Sequence, residues 1–182
     1  MNSLFIHVPR TGGTSIRTAL GAHAQRLYWN HGSLFALTTV IDANKYFKFG
    51  FVRNPWIRAA SWYLHCASNG NIPPFSETIK QACIDNFHSP DLYFRNVFAQ
   101  KVYLVTPDGK EADFIGQFEH LPDELNRLCD ALALPHVNLP ILNQTPQKYD
   151  YRSMYTPESV DIIANRCKWE IDKFDYTFEG AT

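Results

Sequence analysis

The sequence predicts a single α/β domain with a P-loop-like architecture, in which a central, mainly parallel sheet is flanked by helices. Short apolar runs, each of strand length, are followed by stretches of helical periodicity, and glycine or proline stands at the junctions. The length of 182 residues supports the same conclusion, because it suffices for one core and leaves little room for a second domain. The domain is therefore expected to span residues 1–182.

The first strand-loop-helix unit begins at Leu4. The run Leu4–Val8 is apolar apart from His7 and ends at Pro9, as expected of a strand buried on both faces of a parallel sheet. A glycine turn follows, and apolar residues then recur at helical spacing, which predicts a helix over 14–22. His7 lies within this strand and is interpreted as a packed or hydrogen-bonded core residue.

The second unit repeats the arrangement. YFKFGFV over 46–52 predicts a strand, and Asn54 with Pro55 is typical of a helix start, so a helix is expected to run to about residue 67. Before this unit, a strand is predicted over 25–29, and Ser33 is expected to cap a short helix through residue 41.

The second half of the chain is predicted to surround this sheet. Thr156 and Pro157 open a final helix, whose apolar stripe through Phe174 should close the core. A polar connection with three prolines over 135–150 is interpreted as a functional loop. The other predicted elements are short helices over 75–86 and 90–99, a hairpin over 101–119 and a helix over 121–134.

Composition excludes several function classes. Apolar residues make up 45% and charged residues 19%, and the net charge is −1, so no overall basic field favours nucleic acid. The four cysteines form no CxxC pair, so we expect reduced thiols and no metal site. The first apolar run is too short for a signal peptide or a membrane span, and a cytoplasmic protein is expected.

The RTGGTS segment predicts an anion site. Between a strand and a helix, Gly12 and Gly13 allow close approach to backbone N–H groups at the positive end of the helix dipole. Charge comes from Arg10, and hydroxyls come from Thr11, Thr14 and Ser15. A plain glycine turn, in which Thr14 only caps the helix, is the alternative. The segment lacks the GK[ST] signature of ATP and GTP hydrolases.

A second anion site is predicted at the next strand-to-helix junction. Arg53 ends the predicted strand, and Ser61 lies about two turns into the helix that follows. Alternatively, Arg53 pairs with a carboxylate and Ser61 is a small packing residue. Two such sites on successive units indicate a ligand with two separated phosphates.

These two segments resemble motifs of the sulfotransferases that use 3′-phosphoadenosine-5′-phosphosulfate (PAPS), specifically of their carbohydrate, heparan 2-O-sulfotransferase-like branch. PRTGGTS is similar to the family's 5′-phosphosulfate loop, usually PKTGGTS, and RNPWIRAAS to its 3′-phosphate motif, RNPxxRxxS. Weaker likeness continues in family order through GQFEHL, LPHVN and YRSMYTPE, so the resemblance spans almost the whole chain.

The resemblance implies PAPS as the sulfuryl donor and a hydroxyl-bearing acceptor, either a carbohydrate or another small molecule. It assigns residues 10–15 to the 5′-phosphate and sulfate, Arg53 and Ser61 to the 3′-phosphate, and Arg58 to local support. Arg10 stands where the family usually has lysine, which exchanges a compact charge for a wider planar fork.

A general base is also needed to take the acceptor's proton. His31 lies between the two phosphate motifs, as a histidine does in the carbohydrate branch, and is expected after a strand at the carboxyl edge of the sheet. We therefore predict that His31 is the base and that Arg10 stabilises the leaving phosphate. The alternative is a turn histidine that bonds backbone before Ser33.

The remaining candidates carry weaker predictions. His120 and His136 fall in family-like segments and could be purely structural. The resemblance suggests cofactor or acceptor contacts for Lys148, Tyr149 and Arg152, although a solvated loop explains them equally well. The tryptophans could include a sugar-stacking platform or belong to the core: Trp29, Trp56, Trp62 and Trp169.

Two other functions compete with sulfuryl transfer. A nucleotide kinase could use a similar fold, but the GK[ST] signature and an obvious magnesium carboxylate are both missing from the sequence. A nucleotide-binding module of the same fold without turnover is kept open by Arg10 and by the short chain. Acceptor specificity is expected in the segments 69–100 and 135–155.

Overall fold

The structure is a computed structural model that describes residues 2–24, 32–68, 72–84, 99–140 and 149–180. Contacts group the chain into two compact units. The sheet unit comprises Met1–Arg53 with Lys101–Gln144, and the helical unit comprises Asn54–Gln100 with Thr145–Thr182. The single domain over 1–182 stays a prediction.

The three strands belong to the sheet unit and are all parallel, in the spatial order β1, β2, β3. Ile6 of β1 pairs with Gly50 of β2, and Val52 of β2 pairs with Gln117 of β3. The predicted parallel sheet within an α/β fold is therefore confirmed. The strands are β1 Ser3–Ile6, β2 Phe47–Val52 and β3 Phe114–Gln117.

The helices of the described residues follow in chain order. They are α1 Gly13–Leu20, α2 Leu34–Thr38, α3 Pro55–Ala67, α4 Phe75–Ile84, α5 Lys101–Leu104, α6 Leu121–Leu132, α7 Pro157–Arg166 and α8 Lys168–Phe174. One-turn 3₁₀ helices lie at Gly21–His23, Ala43–Lys45, Phe118–His120 and Tyr151–Met154.

The sheet is buried on both faces near the candidate site. All four residues of β1 are buried, as are Phe49 to Val52 of β2, which agrees with the continuous apolar runs of a parallel sheet. The rings of Phe5 and Phe49 stack with centroids 5.1 Å apart. Leu121, Leu125 and Leu128 of α6 pack into the same core.

Two helix starts in the described residues confirm their predicted caps. The Ser33 hydroxyl accepts a hydrogen bond from the N–H of Ala36 at 3.1 Å, at the start of α2. The Asn54 side chain accepts from the N–H groups of Trp56 and Ile57 at 3.1 and 3.3 Å, with Pro55 at the first helical position of α3.

The predicted hairpin over 101–119 is wrong. Its first arm is the helix α5, and its second arm contains β3, which pairs in parallel with β2. The turn residues at 107–109 do form a turn, closed by a single antiparallel bridge between Val105 and Glu111. The turn at 107–109 was therefore predicted correctly from its residues. The pairing of the following strand, β3, was not, because β3 pairs with β2 and not with the segment before the turn.

The final helix predicted from Thr156 is two helices. Thr156 and Ser159 form a capping box at the start of α7, as the sequence indicated. Cys167 then leaves helical geometry, at φ −108° and ψ 27°, and α8 begins at the next residue. Within the predicted apolar stripe, Ile163 and Cys167 are fully buried.

Other expectations concern residues that the structure describes only in part. The strand predicted over 25–29 lies outside the described residues, as does the helix predicted over 90–99 except for its last residue. Among the described cysteines, Cys66, Cys129 and Cys167 take part in no disulfide bond. No helix in the described ranges has the length and apolar character needed to cross a membrane.

Candidate functional site

The carboxyl ends of the three parallel strands bring three segments to one edge of the sheet. β1 leads into residues 7–12, β2 into Arg53, and β3 into the 3₁₀ turn Phe118–His120. In an open parallel sheet, ligands bind at this carboxyl edge. The sequence predicted the first two of these segments as parts of the site.

The turn between β1 and α1 has an unusual backbone. Arg10 and Gly12 both adopt the left-handed conformation, with φ values of 66° and 76°. The hydroxyl of buried Thr11 donates a hydrogen bond to the carbonyl of Val8 at 2.9 Å, which fixes the segment between them. Left-handed residues interleaved in a turn gather successive N–H groups around a concavity that binds anions.

The start of α1 supplies more donors to this turn. Gly12 is the N-cap residue and has no side chain to accept hydrogen bonds from the first helical amides. The first turn of the helix also contains no acidic residue. The positive end of the helix dipole is thus available to a negatively charged group.

Gly13 is required by a close contact that sequence reasoning missed. A Cβ atom at this position would lie 1.9 Å from Nε2 of His7. The His7 ring follows β1, is half-buried and stacks on Phe5 with centroids 5.4 Å apart. His7 was predicted as a core residue within the strand, but it lies just after β1 and is half-buried. Its ring packs directly against the start of the candidate phosphate loop.

Arg53 reaches the loop after β1. Its Nη1 lies 3.3 Å from the carbonyl oxygen of Arg10 and donates a hydrogen bond to it. The guanidinium carbon lies 4.4 Å from the centroid of the Phe118 ring, within the range of a cation–π interaction. The structure thus brings together the loop and the arginine that the sequence had placed in two separate anion sites.

Phe118 is a residue of the site that the sequence analysis did not single out. GQFEHL was noted as a family-like segment, but no role was given to its aromatic ring. A Cβ atom at Gly12 would lie 3.0 Å from Cε2 of Phe118. The ring therefore touches both the loop glycine and the arginine.

The remaining predicted site residues lie either in the helical unit or outside the described residues. Ser61 belongs to the helical unit, where it lies in α3 and is fully buried. His31 lies outside the described residues, and so does Lys148. Arg58, predicted to give local support, is 1% exposed in α3.

The segment at 149–155 is tied into the helical unit. Arg152 forms an exposed ion pair with Glu179, with Nε and Oε2 3.1 Å apart. The Tyr151 hydroxyl donates to the carbonyl of Phe178, and the Tyr155 hydroxyl donates to that of Trp56 at 2.8 Å. Burial raises the pKa of both phenols, which therefore stay protonated.

The other aromatic and histidine candidates lie in the core, on the surface or outside the described residues. Trp56 and Trp62 are buried in α3, which makes them core residues of the helical unit. Trp29 lies outside the described residues, and Trp169 packs edge-on against Phe174. His120 is exposed, and His136 pairs with Asp130 at 2.9 Å on the surface. No cluster of metal-ligating side chains occurs within the described ranges.

A cavity of about 410 Å³ lies elsewhere in the sheet unit. Its lining comes from segments that precede β2 and β3, including Phe35, Asp42, Asn44 and Thr106. These residues lie at the amino ends of the strands, so this cavity is separate from the candidate phosphate site.

Fold and site together define an α/β protein with a candidate anion-binding turn between its first strand and first helix. The sulfotransferase family model matches residues 4–176, so the chain belongs to the sulfotransferase family. This membership makes it a transferase of sulfuryl groups whose acceptor carries a hydroxyl. Comparisons with curated proteins and with solved structures found no significant match.

Proposed function

We propose that the protein transfers the sulfuryl group of PAPS to a hydroxyl of a carbohydrate or another small acceptor. The observation that carries the proposal is the turn after β1. There, left-handed Arg10 and Gly12 gather N–H groups at the start of α1, and the Arg53 guanidinium bonds the same turn. Such a turn suits a phosphate, and the adjacent arginine suits a second one.

The nucleotide is assigned to these groups by segment. Residues 10–15 bind the 5′-phosphate and the sulfate, chiefly through backbone N–H groups. The segment containing Arg53 and Ser61 binds the 3′-phosphate. Because Arg53 is half-buried and carries a forked donor set, it contributes the larger share of this binding.

The reaction is a direct displacement at sulfur. His31 takes the proton of the acceptor hydroxyl, and the acceptor oxygen forms a bond to sulfur. The bond between sulfur and the bridging oxygen breaks, and 3′,5′-bisphosphoadenosine (PAP) leaves with the electron pair. The charge that develops on the leaving phosphate is stabilised by Arg10 and the N–H groups of the loop.

Arg10 provides the family lysine's charge in a different shape. Its backbone is held at φ 66°, and its carbonyl is bonded by Arg53. The planar guanidinium spreads its charge over several donors, whereas an ammonium is a compact point charge. Replacement of Arg10 by lysine should retain most turnover, and replacement by alanine should remove most of it.

A carbohydrate acceptor is proposed from the likeness of PRTGGTS and RNPWIRAAS to the carbohydrate branch. A panel of sugars, with a simple phenol as the non-carbohydrate member, tests it by sulfate transfer from PAPS. Transfer to sugars and not to the phenol is the expected outcome. Transfer to the phenol alone would contradict the carbohydrate assignment and leave the sulfotransferase activity standing.

The choice of nucleotide is tested by thermal stabilisation. A ligand that binds only the folded protein raises its melting temperature, and at a given concentration a tighter ligand raises it more. PAP should stabilise the chain at lower concentration than ATP does. Preference for ATP would favour a kinase, while tight PAP binding without transfer to any acceptor would favour a binding module without turnover.

The role of His31 is tested separately from binding. His31→Ala should abolish sulfate transfer and leave the Kd for PAP within about twofold, because the base contacts the acceptor and not the nucleotide. His23→Ala is the matched control, since His23 is an exposed histidine of the same region. Unchanged turnover in His31→Ala would remove this residue from the mechanism.

A further inference from the structure

Phe118 occupies a position that links the two anion-binding parts of the site. One side of its ring lies under the Arg53 guanidinium, at 4.4 Å from the ring centroid. Its Cε2 edge lies so close to Gly12 that a Cβ atom there would come within 3.0 Å. Arg53 in turn donates to the Arg10 carbonyl of the same loop at 3.3 Å. Phe118 and Arg53 thus contact each other, and each also contacts the loop.

We propose that Phe118 is a positioning residue, which holds the Arg53 guanidinium in the orientation that binds the 3′-phosphate. The inference rests on the proposed use of a 3′-phosphorylated nucleotide. A long arginine side chain has many rotamers, and binding is weakened by the free energy of restricting them. A face-on aromatic ring restricts the guanidinium before the ligand arrives, while its in-plane N–H donors stay directed along the edges.

The aromatic ring itself is needed for this role, because the interaction depends on the negative face of the π-system. Phe118 is also a half-buried member of the shell around the hydrophobic core. A purely packing role would be preserved by leucine, which fills a similar apolar volume. The two roles therefore predict different results for Phe118→Leu.

The chain offers a matched control in Phe114. This residue is likewise half-buried, packs against the same core and lies under an arginine, with the Arg127 guanidinium 5.8 Å from its ring centroid. It begins β3, at the edge of the sheet away from the phosphate loop. Phe114→Leu thus removes the same atoms without touching the proposed site.

The experiment measures the Kd of PAP and of adenosine 5′-monophosphate, which lacks the 3′-phosphate, by calorimetry. Phe118→Leu should weaken PAP binding by about threefold to thirtyfold, in line with the strength of a partly desolvated cation–π pair, and change the Kd of the monophosphate by less than about twofold. Phe118→Tyr, which keeps the ring, should bind PAP as the wild type does. Phe114→Leu should leave both constants unchanged.

A double-variant cycle with Arg53→Ala separates positioning from packing. If Phe118 acts through Arg53, Phe118→Leu has no further effect on PAP binding once Arg53 is alanine. Equal losses for PAP and the monophosphate, or a full additional loss in the Arg53→Ala background, would overturn the inference. If Phe118→Leu does not fold, Phe118→Met replaces it with the same expectations. A wild type without preference for PAP contradicts the proposed function itself, and is recognised before any variant is made.

Discussion

The turns that follow the neighbouring strands β1 and β2 differ in how the first amides of the next helix are capped. At the start of α1 the N-cap is Gly12, which has no side chain to accept from the first amides. At the start of α3 the N-cap is Asn54, whose Oδ1 accepts from the amides of Trp56 and Ile57. The first helix start therefore lacks a capping side chain that would compete with a ligand, whereas the second is capped within the protein.

This difference indicates which hydrogen-bond donors each of the two proposed phosphates would use. In the proposed function, a phosphate at the first turn is bound by main-chain N–H groups, which side-chain substitutions do not remove. At the second turn the helix start is already capped, so binding falls to the Arg53 side chain. The first turn should therefore be sensitive to changes that displace backbone, and the second to changes that remove charge.

The largest effect is expected for Gly13→Ala. The new Cβ would overlap the His7 ring, 1.9 Å from Nε2, so either the ring or the loop must move. PAP affinity should fall by at least about a hundredfold, because misplaced donors lose several charge-assisted hydrogen bonds together. Calorimetry with PAP, with circular dichroism to verify folding, measures this.

The predicted overlap between a Cβ at residue 13 and the His7 ring can be tested by a second substitution. His7→Ala opens the space beside residue 13, so the double variant His7→Ala/Gly13→Ala should recover much of the lost affinity. Gly109→Ala is a second control, because nothing lies within 4 Å of a Cβ there, and it should leave binding unchanged. Wild-type affinity in Gly13→Ala would contradict the prediction, because it would mean that the His7 ring moves and the loop keeps its place.

Arg53→Ala should have the next largest effect. Loss of a charged donor is expected to weaken PAP binding by about tenfold to a hundredfold. The Kd of adenosine 5′-monophosphate should rise less, through the lost bond to the Arg10 carbonyl alone. Arg53→Lys keeps the charge, so its Kd for PAP should lie between those of the wild type and Arg53→Ala. Equal losses for both nucleotides would mean that Arg53 only supports the loop.

A smaller effect is expected for Ser61→Ala. A neutral hydroxyl is expected to contribute only about twofold to tenfold to PAP affinity. Ser159→Ala is a matched control, since Ser159 is another fully buried serine of the helical unit and serves in the capping box of α7. It should lower the melting temperature and leave PAP affinity unchanged. A larger loss for Ser61→Ala than for Arg53→Ala would reverse our assignment.

The smallest effect on binding is expected for Asn54→Ala. Removal of an N-cap side chain costs about 1 kcal/mol of unfolding free energy, and the Asn54 bond to the Thr177 carbonyl at 2.9 Å is lost as well. PAP affinity should nevertheless stay within about twofold, because these amides bind the cap and not the ligand. Chemical denaturation measures the first quantity and calorimetry the second. Asn54→Ser retains a capping oxygen and should recover part of the stability.

Local chemistry in the sequence was enough to predict much of the fold. Ser33, Asn54 and Thr156 were identified as caps because a cap depends on a few neighbouring residues. The strands β1 and β2 were predicted within one or two residues, since continuous apolar runs are typical of buried parallel strands. The glycine turn of the candidate site was also predicted from local sequence, because its glycines lie between an apolar run and a stretch of helical periodicity.

Features that depend on distant residues were missed. The pairing of β3 with β2 was mistaken for a hairpin, because local turn residues say nothing about which strand lies alongside. The break at Cys167 carries no glycine or proline signal. Phe118 could have been suspected only by noting that an aromatic residue follows a strand at the carboxyl edge, which required knowing that its segment is a parallel strand.

The backbone of Arg10 has a consequence for how this protein can change. A residue other than glycine in the left-handed region stores on the order of 1–3 kcal/mol of strain. Glycine or asparagine would relieve it, so a library selected for thermal tolerance alone should lose the arginine. A library selected for turnover should keep it. Folding stability and the proposed catalytic charge thus favour different residues at position 10, and the two kinds of selection would separate them.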